Sequence, residues 1–591
     1  MKKMQKIFAL LLVAVMLLAV IAGCAEGDPD DRGAHIHMFL GADPSNINFD
    51  PALMLFDAET VQWIGLIFEG LFIMDDRGRV QLGMAADWPR ITENEERGIF
   101  TMEIDLIETH WSDGTQVAAE DFVSAWERIL QPDFHSPAAA LLFDIKNARA
   151  VKEGYMTVAD LGLAALDITL LEITFEGRID YDRFIQNLTS IALVPIRSVP
   201  VDNHPDEWAW GERPLTLLSN GPFQLSSIEF GNRAVFDRSA FYRLDQRGRQ
   251  AIDRYVRPHR LYTHFRRSLD DMATAFNTEG VGAENVFFLG RVPRDRYDEF
   301  SGRAEPMNML SAYTLHFNTN VAPFNNPDVR RALSMAIDRN HIANNIVGLG
   351  VNPATGIVPA GIVGVNPTGA DFREETGELI SPAANDAEAR RLLGGVSGSF
   401  GLKFRDTDPV ETAVAEYIAG VWNQLPGITV TLVPARGRAY AEDILSANYD
   451  VMLYDFQAPG VCAFSVLAPF ARPFSGNASI FNPEGGYWIP SPHITGFQND
   501  AYDALIEEIF LIEDNRERNE RLREAERMLV ELMPIAPLYF NRSINISDQR
   551  LTGITFTRFG FPVFTRAVLR NHLEFTTTAA PRAAPGAEGD E

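Results

Sequence analysis

The chain has 591 residues, of which 46% are hydrophobic and 22% charged, enough length and apolar material for a large core and more than one domain. Its formal charge of −28 comes from 52 basic and 80 acidic residues spread along the chain. That balance repels nucleic acid phosphates and anionic membrane surfaces, excludes nucleic acid as an expected partner and suits a soluble monomer.

An export signal has a basic start, an apolar middle and small residues before a cleavage point. Lys2, Lys3 and Lys6 precede an apolar run over 7–22, and Gly23 and Cys24 follow. This run is shorter than the roughly 20 residues that span a bilayer core, so 1–23 reads as a signal peptide. The Ile21-Ala22-Gly23-Cys24 junction resembles a bacterial lipobox, which implies lipidation of Cys24 and membrane attachment through that lipid only. Residues 24–33 read as a polar linker, and the Thr-, Ala-, Pro- and Gly-rich 576–591 as a disordered tail. Cys462 is left without a partner for an internal disulfide; a small buried apolar role is favoured over a catalytic thiol.

Strand and helix patterns alternate through the body. Residues 36–40 are of strand length and end at Gly41. Val61, Ile64, Ile67 and Phe68 recur at helical spacing and predict a helix over 59–71. Met102, Ile104 and Leu106 alternate as on a half-buried strand. The stripe Phe122, Val123, Trp126, Ile129 and Leu130 predicts an amphipathic helix over 119–130. Asn326 as cap and Pro327 at the first position begin a predicted helix reaching 347, and residues 500–533 read as one long helical region. Linkers are expected near 187–195 and 300–312, between two α/β lobes.

In the same order, a series of phrases resembles the family 5 solute-binding proteins, the oligopeptide- and dipeptide-binding components of ABC importers. They are Asp43-Pro44 with Asp50-Pro51, Phe68-Glu69-Gly70-Leu71, and Leu82 through Trp88. The most specific is Trp111-Ser112-Asp113-Gly114 through Glu120-Asp121-Phe122, followed by Trp126-Glu127-Arg128. Ser219-Asn220-Gly221-Pro222-Phe223, Asp328-Val329-Arg330 and Ala336-Ile337-Asp338-Arg339 continue the series. Ser112-Asp113-Gly114 is also turn chemistry in its own right, and Ala118 stands where the family has a capping threonine.

The resemblance implies an α/β, two-lobed periplasmic-binding-protein-like type II fold of the large class, with an extra domain appended to the first lobe. The first lobe would comprise 34–57, 188–305 and 531–575, the appended domain 58–187, and the second lobe 306–530. It also implies a peptide or other small-molecule ligand held between the lobes, ABC permease subunits as partners and no cofactor. Main-chain pairing of the ligand, in the manner of an added strand, would use Gly41, Ala42 and Asp43, Phe288 and Gly290, and Asp455, Phe456, Gln457 and Ala458. Trp488, in a Pro- and Gly-rich stretch, is a further expected ligand contact, whereas Trp126 reads as core.

One departure bears on the ligand. Peptide-binding members carry an aspartate for the ligand's α-amine where this chain has Pro459, which neither accepts that charge nor donates a backbone bond. Asp455 lies four residues earlier and is the candidate substitute. A receptor for a non-peptide solute (an oligosaccharide, an opine or a metal chelate) is therefore the second reading, and a secreted hydrolase the third. Against the hydrolase, Asp450 and Asp455 are spaced to opposite faces of a strand, and no nucleophile-elbow, zinc-protease or phosphate-loop motif is present. His35 and His37 share one strand face but lack a third close ligand, and read as a solvated strand start.

Overall fold

The computed structural model describes residues 33–572, apart from 41–47, 55–60, 204–207, 210–216, 230, 244–254, 266–268, 278–284, 301, 349, 366–368 and 407–408. The expected signal, Cys24 and the tail lie outside the described residues, as do Gly41, Ala42 and Asp43.

Two 13-residue strands, Glu305–Phe317 and Ile535–Ser547, form the spine of the molecule. They run antiparallel at the middle of an 11-stranded sheet. On one side Phe288–Leu289, His35–Phe39, Arg260–His264, Arg233–Arg238 and Phe223–Glu229 follow in order. On the other side lie Val451–Gln457, Gly398–Arg405 and Ile428–Ala435. The spine therefore belongs to both lobes. Its register slips midway: Asn308 faces Arg542, but Ala312 faces Phe540, so Met309, Leu310 and Ser311 oppose Asn541 alone. Such a bulge interrupts the ladder and bends the strand. The linker expected near 300–312 is thus largely ordered strand.

The appended domain has its own antiparallel sheet, in the order Arg90–Asn94, Ile99–Asp105, Leu170–Thr174, Leu163–Asp167. Met102, Ile104, Leu171 and Ile173 point inward, and the helix Ala119–Leu130 contributes Phe122, Trp126, Ile129 and Leu130 to the same core. Trp126 is fully buried and donates its indole N–H to the Leu193 carbonyl at 3.0 Å. The helix has half a cap: Ala118 offers no side-chain acceptor, but the Asp121 carboxylate accepts from the Ala118 N–H at 2.8 Å and from the Trp111 indole at 2.9 Å.

The phrases shared with the solute-binding family hold this domain to the first lobe. Asn220 accepts from the Glu69 N–H at 3.1 Å and donates to its carbonyl at 2.7 Å. Gly221 lies so close that a Cβ there would sit 2.5 Å from the Ile67 carbonyl carbon. Gly114, at φ +86°, closes the Trp111 turn by donating to the Trp111 carbonyl at 2.8 Å.

Two helix expectations are revised. The segment from Pro327 breaks after Met335 and restarts at Arg339, because the Asp338 carboxylate caps the His341 N–H at 3.1 Å. Its final turns, Ile342–Val347, are wound as a π-helix. The 500–533 region is two helices, Asp500–Leu511 and Asn515–Leu532, because Asp514 caps the second by accepting from Glu517 N–H at 2.8 Å.

His35 and His37 are half-buried rather than solvated. His37 Nδ1 meets His264 Nε2 at 2.9 Å and its ring stacks on Tyr262, and burial foremost pulls its pKa down to about 3. Among the described residues no group of three or more His, Cys, Asp or Glu side chains is arranged to hold a metal ion. No described helix is long and apolar enough to cross a membrane.

Candidate ligand cleft between the lobes

A cavity of about 1050 Å³ opens where three bodies meet. The stretch 48–53 and residues Ile196 and Trp208 come from the first lobe. The helix Ala119–Leu130 and Phe134 come from the appended domain, and Arg438, Glu442 and Leu445 from the second lobe. A ligand lodged here touches both sides of the hinge, the condition for a ligand to favour closure. A smaller pocket of about 230 Å³, lined by Phe68, Phe72, Tyr242, Phe559 and Phe561 among others, contains no second-lobe residue, so its occupant would not bridge the lobes.

The strand Val451–Gln457 is joined to the cavity-lining helix Gly437–Leu445, whose Tyr440 hydroxyl donates to the Leu453 carbonyl at 2.5 Å. Ala458 N–H donates to the Leu310 carbonyl at 3.0 Å, and the antiparallel register pairs Phe456 with Ala312 and Tyr454 with Thr314. Hydrogen-bonded pairs alternate along such a ladder, so the main-chain groups of Asp455 and Gln457 point away from the spine. On that outer side the neighbouring strand pairs only with Val451 and Met452. Tyr454 reaches across to the first lobe, its hydroxyl 3.5 Å from the Met54 carbonyl.

The expected site residues separate into three groups. Asp455 and Gln457 offer this edge, with Phe456 between them packed partly into the core. Ala458 is fully buried with its N–H consumed by Leu310. Phe288 and Gly290 do not offer an edge, contrary to expectation: Phe288 is paired with Met38 on one side and Ser547 on the other, and Gly290 N–H donates to the Phe39 carbonyl at 2.8 Å. Sequence alone marked that strand as apolar and short but not as interior to the sheet. Trp488 meets the appended domain instead of the Asp455 edge, its indole lying flat where Gly154 has no side chain, with Phe481 at 5.1 Å between ring centroids.

The Asp455 carboxylate accepts from Asn541 Nδ2 at 2.6 Å, so it is held at the bulge. Pro459 turns its carbonyl to the Ser190 hydroxyl, a direct hydrogen bond between the second lobe and the chain leaving the appended domain. Sequence reasoning missed the further residues of this seam. Arg149 Nη1 donates to Glu507 Oε2 at 2.6 Å, and its guanidinium lies 5.1 Å from the Phe474 ring centroid. Phe474 packs on Phe143 of the appended domain and on Phe464 and Phe510 of the second lobe. Residues such as Arg149 and Glu507, 358 positions apart, carry no periodic signal of their meeting.

The family model described as "Bacterial extracellular solute-binding proteins, family 5 Middle" matches residues 101–477. Among curated proteins, the probable deoxycholate-binding periplasmic protein YgiS of Escherichia coli is 27% identical over 82% of this chain and 85% of its own length. The periplasmic murein peptide-binding protein MppA of the same organism is 26% identical over 90% and 92%. The solved E. coli MppA superimposes with a TM-score of 0.71 at 22% identity, covering 91% of this chain and 98% of that one. Haemophilus influenzae OppA in complex with RPPGFSPFR does so at 0.71 and 20% identity, over 91% and 99%. An unliganded open form of MppA scores only 0.52 at 22% identity, over 91% and 97%. The architecture is that of type II periplasmic binding proteins, and the chain belongs to the family 5 bacterial extracellular solute-binding proteins.

Proposed function

We propose that this chain is a lipid-anchored extracytoplasmic receptor that captures peptides between its lobes and delivers them to the permease subunits of an ABC importer. The observation that carries the reading is the cavity walled by both lobes and the appended domain, together with the outward edge of Val451–Gln457. A peptide has an unpaired backbone of its own, and such an edge binds it through main-chain groups without regard to side chains. Names of relatives support the class: MppA is called murein peptide-binding and the OppA complex holds a nonapeptide. The bodies that move are taken as 34–57 with 188–305 and 531–575, the appended 58–187, and 306–530. Cys24 is the acylated residue in this reading, and no covalent chemistry is performed on the ligand.

A non-peptide solute is the second reading, favoured by Pro459 in place of an acidic anchor and by the deoxycholate named for YgiS. Calorimetric titration with free-amine peptides, N-acetylated peptides and deoxycholate separates the two. Heat with either peptide class supports the first; heat with deoxycholate alone removes it. Globomycin-sensitive incorporation of labelled palmitate, abolished in Cys24→Ala, tests the anchor.

A further inference from the structure

Among the described residues, the walls of the interlobe cavity carry more acidic than basic groups. Four carboxylates line it (Asp50, Glu127, Asp133 and Glu442), against the guanidinium groups of Arg128 and Arg438. Arg128 is spent internally. It grips Asp50 through two bonds of 3.2 and 2.6 Å, and its guanidinium lies 4.1 Å from the Phe134 ring centroid and 5.8 Å from that of Trp208. Of the remaining described groups, Asp133 lies in the electrostatic field of the Lys152 ammonium, while Glu127 and Glu442 share the wall with one further guanidinium, Arg438.

Glu127 is the informative member. It is half-buried on the helix Ala119–Leu130 without a hydrogen-bond or ion-pair partner among the described residues, and its pKa is raised, first by burial and then by the Glu120 carboxylate. A carboxylate partly withdrawn from water without a cation costs free energy that an incoming cation recovers. Glu442 lines the same cavity from the helix Gly437–Leu445. A cleft of one sign between low-dielectric walls also focuses its field on arriving solutes.

We infer that the cleft selects cationic ligands, namely peptides bearing Lys or Arg side chains, and that Glu127 and Glu442 are the specificity-determining residues. This rests on the peptide reading above and adds the charge of the ligand to it.

The test is native mass spectrometry with an equimolar mixture of Ala-based peptides of several lengths, each made in three forms with a central Lys, Gln or Glu. The expected result is Lys over Gln over Glu, with about a tenfold preference for Lys over Gln that shrinks as ammonium acetate concentration rises. In Glu127→Gln/Glu442→Gln, whose fold is checked by thermal melting, the ratio of Lys to Gln binding falls to near parity. Equal binding of the Lys and Gln forms overturns the charge inference and leaves the peptide reading standing. A Lys preference that persists in the double variant overturns the assignment to these two residues. Binding of no form at all overturns the peptide reading and the inference together.

Discussion

Asn541 Nδ2 lies 2.6 Å from the Asp455 carboxylate and 3.0 Å from the Ser311 hydroxyl. One side chain thus ties together three strands at the point where the spine changes register. Hydrogen bonds to a charged acceptor contribute about 1.5–3 kcal/mol. Asn541→Ala should lower urea-unfolding stability by an amount near the bottom of that range, because Asp455 is only half-buried. It should also weaken ligand affinity through a looser hinge. Unchanged stability together with unchanged affinity would show that the bulge is set by the backbone alone.

Arg149 and Glu507 join the appended domain to the second lobe beside Phe474. Because their pairing is possible only when the lobes are together, Arg149→Ala should shift the population toward the open form and reduce affinity severalfold, mostly through faster ligand release. Small-angle scattering of the free protein would show a larger radius of gyration. A scattering curve identical to that of the parent would remove the pair from the closure mechanism.

At Gly154 a methyl group would collide with the Trp488 indole, and the φ of +78° disfavours any side chain. Gly154→Ala should therefore displace Trp488 and destabilise the seam. In Trp488→Ala the steric part of that penalty should vanish, leaving only the backbone cost of about 1 kcal/mol. Additive losses in the double-mutant cycle would contradict the packing described.

Ala118 opens the helix of the Trp111 motif in extended geometry without a side-chain acceptor. Ala118→Thr should supply the missing half of the cap and raise stability by about 1 kcal/mol. A lower melting temperature would mean that the hydroxyl meets a steric conflict there.

His316 is buried with neither ring nitrogen partnered among the described residues, and burial pulls its pKa down to about 3. Burial likewise lowers His135, to about 4, and His493, whose ring lies 5.8 Å from that of His316. The folded state keeps these rings neutral, whereas the unfolded chain takes up protons near pH 6.5. Their contribution to stability is complete above that pH and is lost as the pH falls from 6.5 toward 4 and 3. Calorimetric melting temperatures should accordingly drop between pH 6.5 and 5, above the main carboxylate range, and His316→Gln should flatten the drop. A constant melting temperature over that window would place a proton on these rings in the native state.

Periodicity and turn chemistry were enough to locate Ala119–Leu130 to the residue, the strand through Met102 and Ile104, and the burial of Trp126. Those features depend on neighbours within a few positions, where the 3.6- and two-residue repeats act. The ordered phrases from Trp111-Ser112-Asp113-Gly114 to Asp338-Arg339 likewise identified the family, and the structure shows two of the phrases bonded to each other through Glu69 and Asn220.

What the linear chain could not hold is the meeting of distant parts. Whether Phe288 is an edge or an interior strand depends on which strands flank it, and Ser547 arrives from the far end of the chain. Whether Trp488 faces a ligand or Gly154 depends on how two lobes close. The sequence by itself determined the local elements, the family and the acidity of the whole. Only the tertiary structure decided which of its charges meet, as Arg128 meets Asp50, because charge compensation is a matter of distances between elements and not of spacing along one.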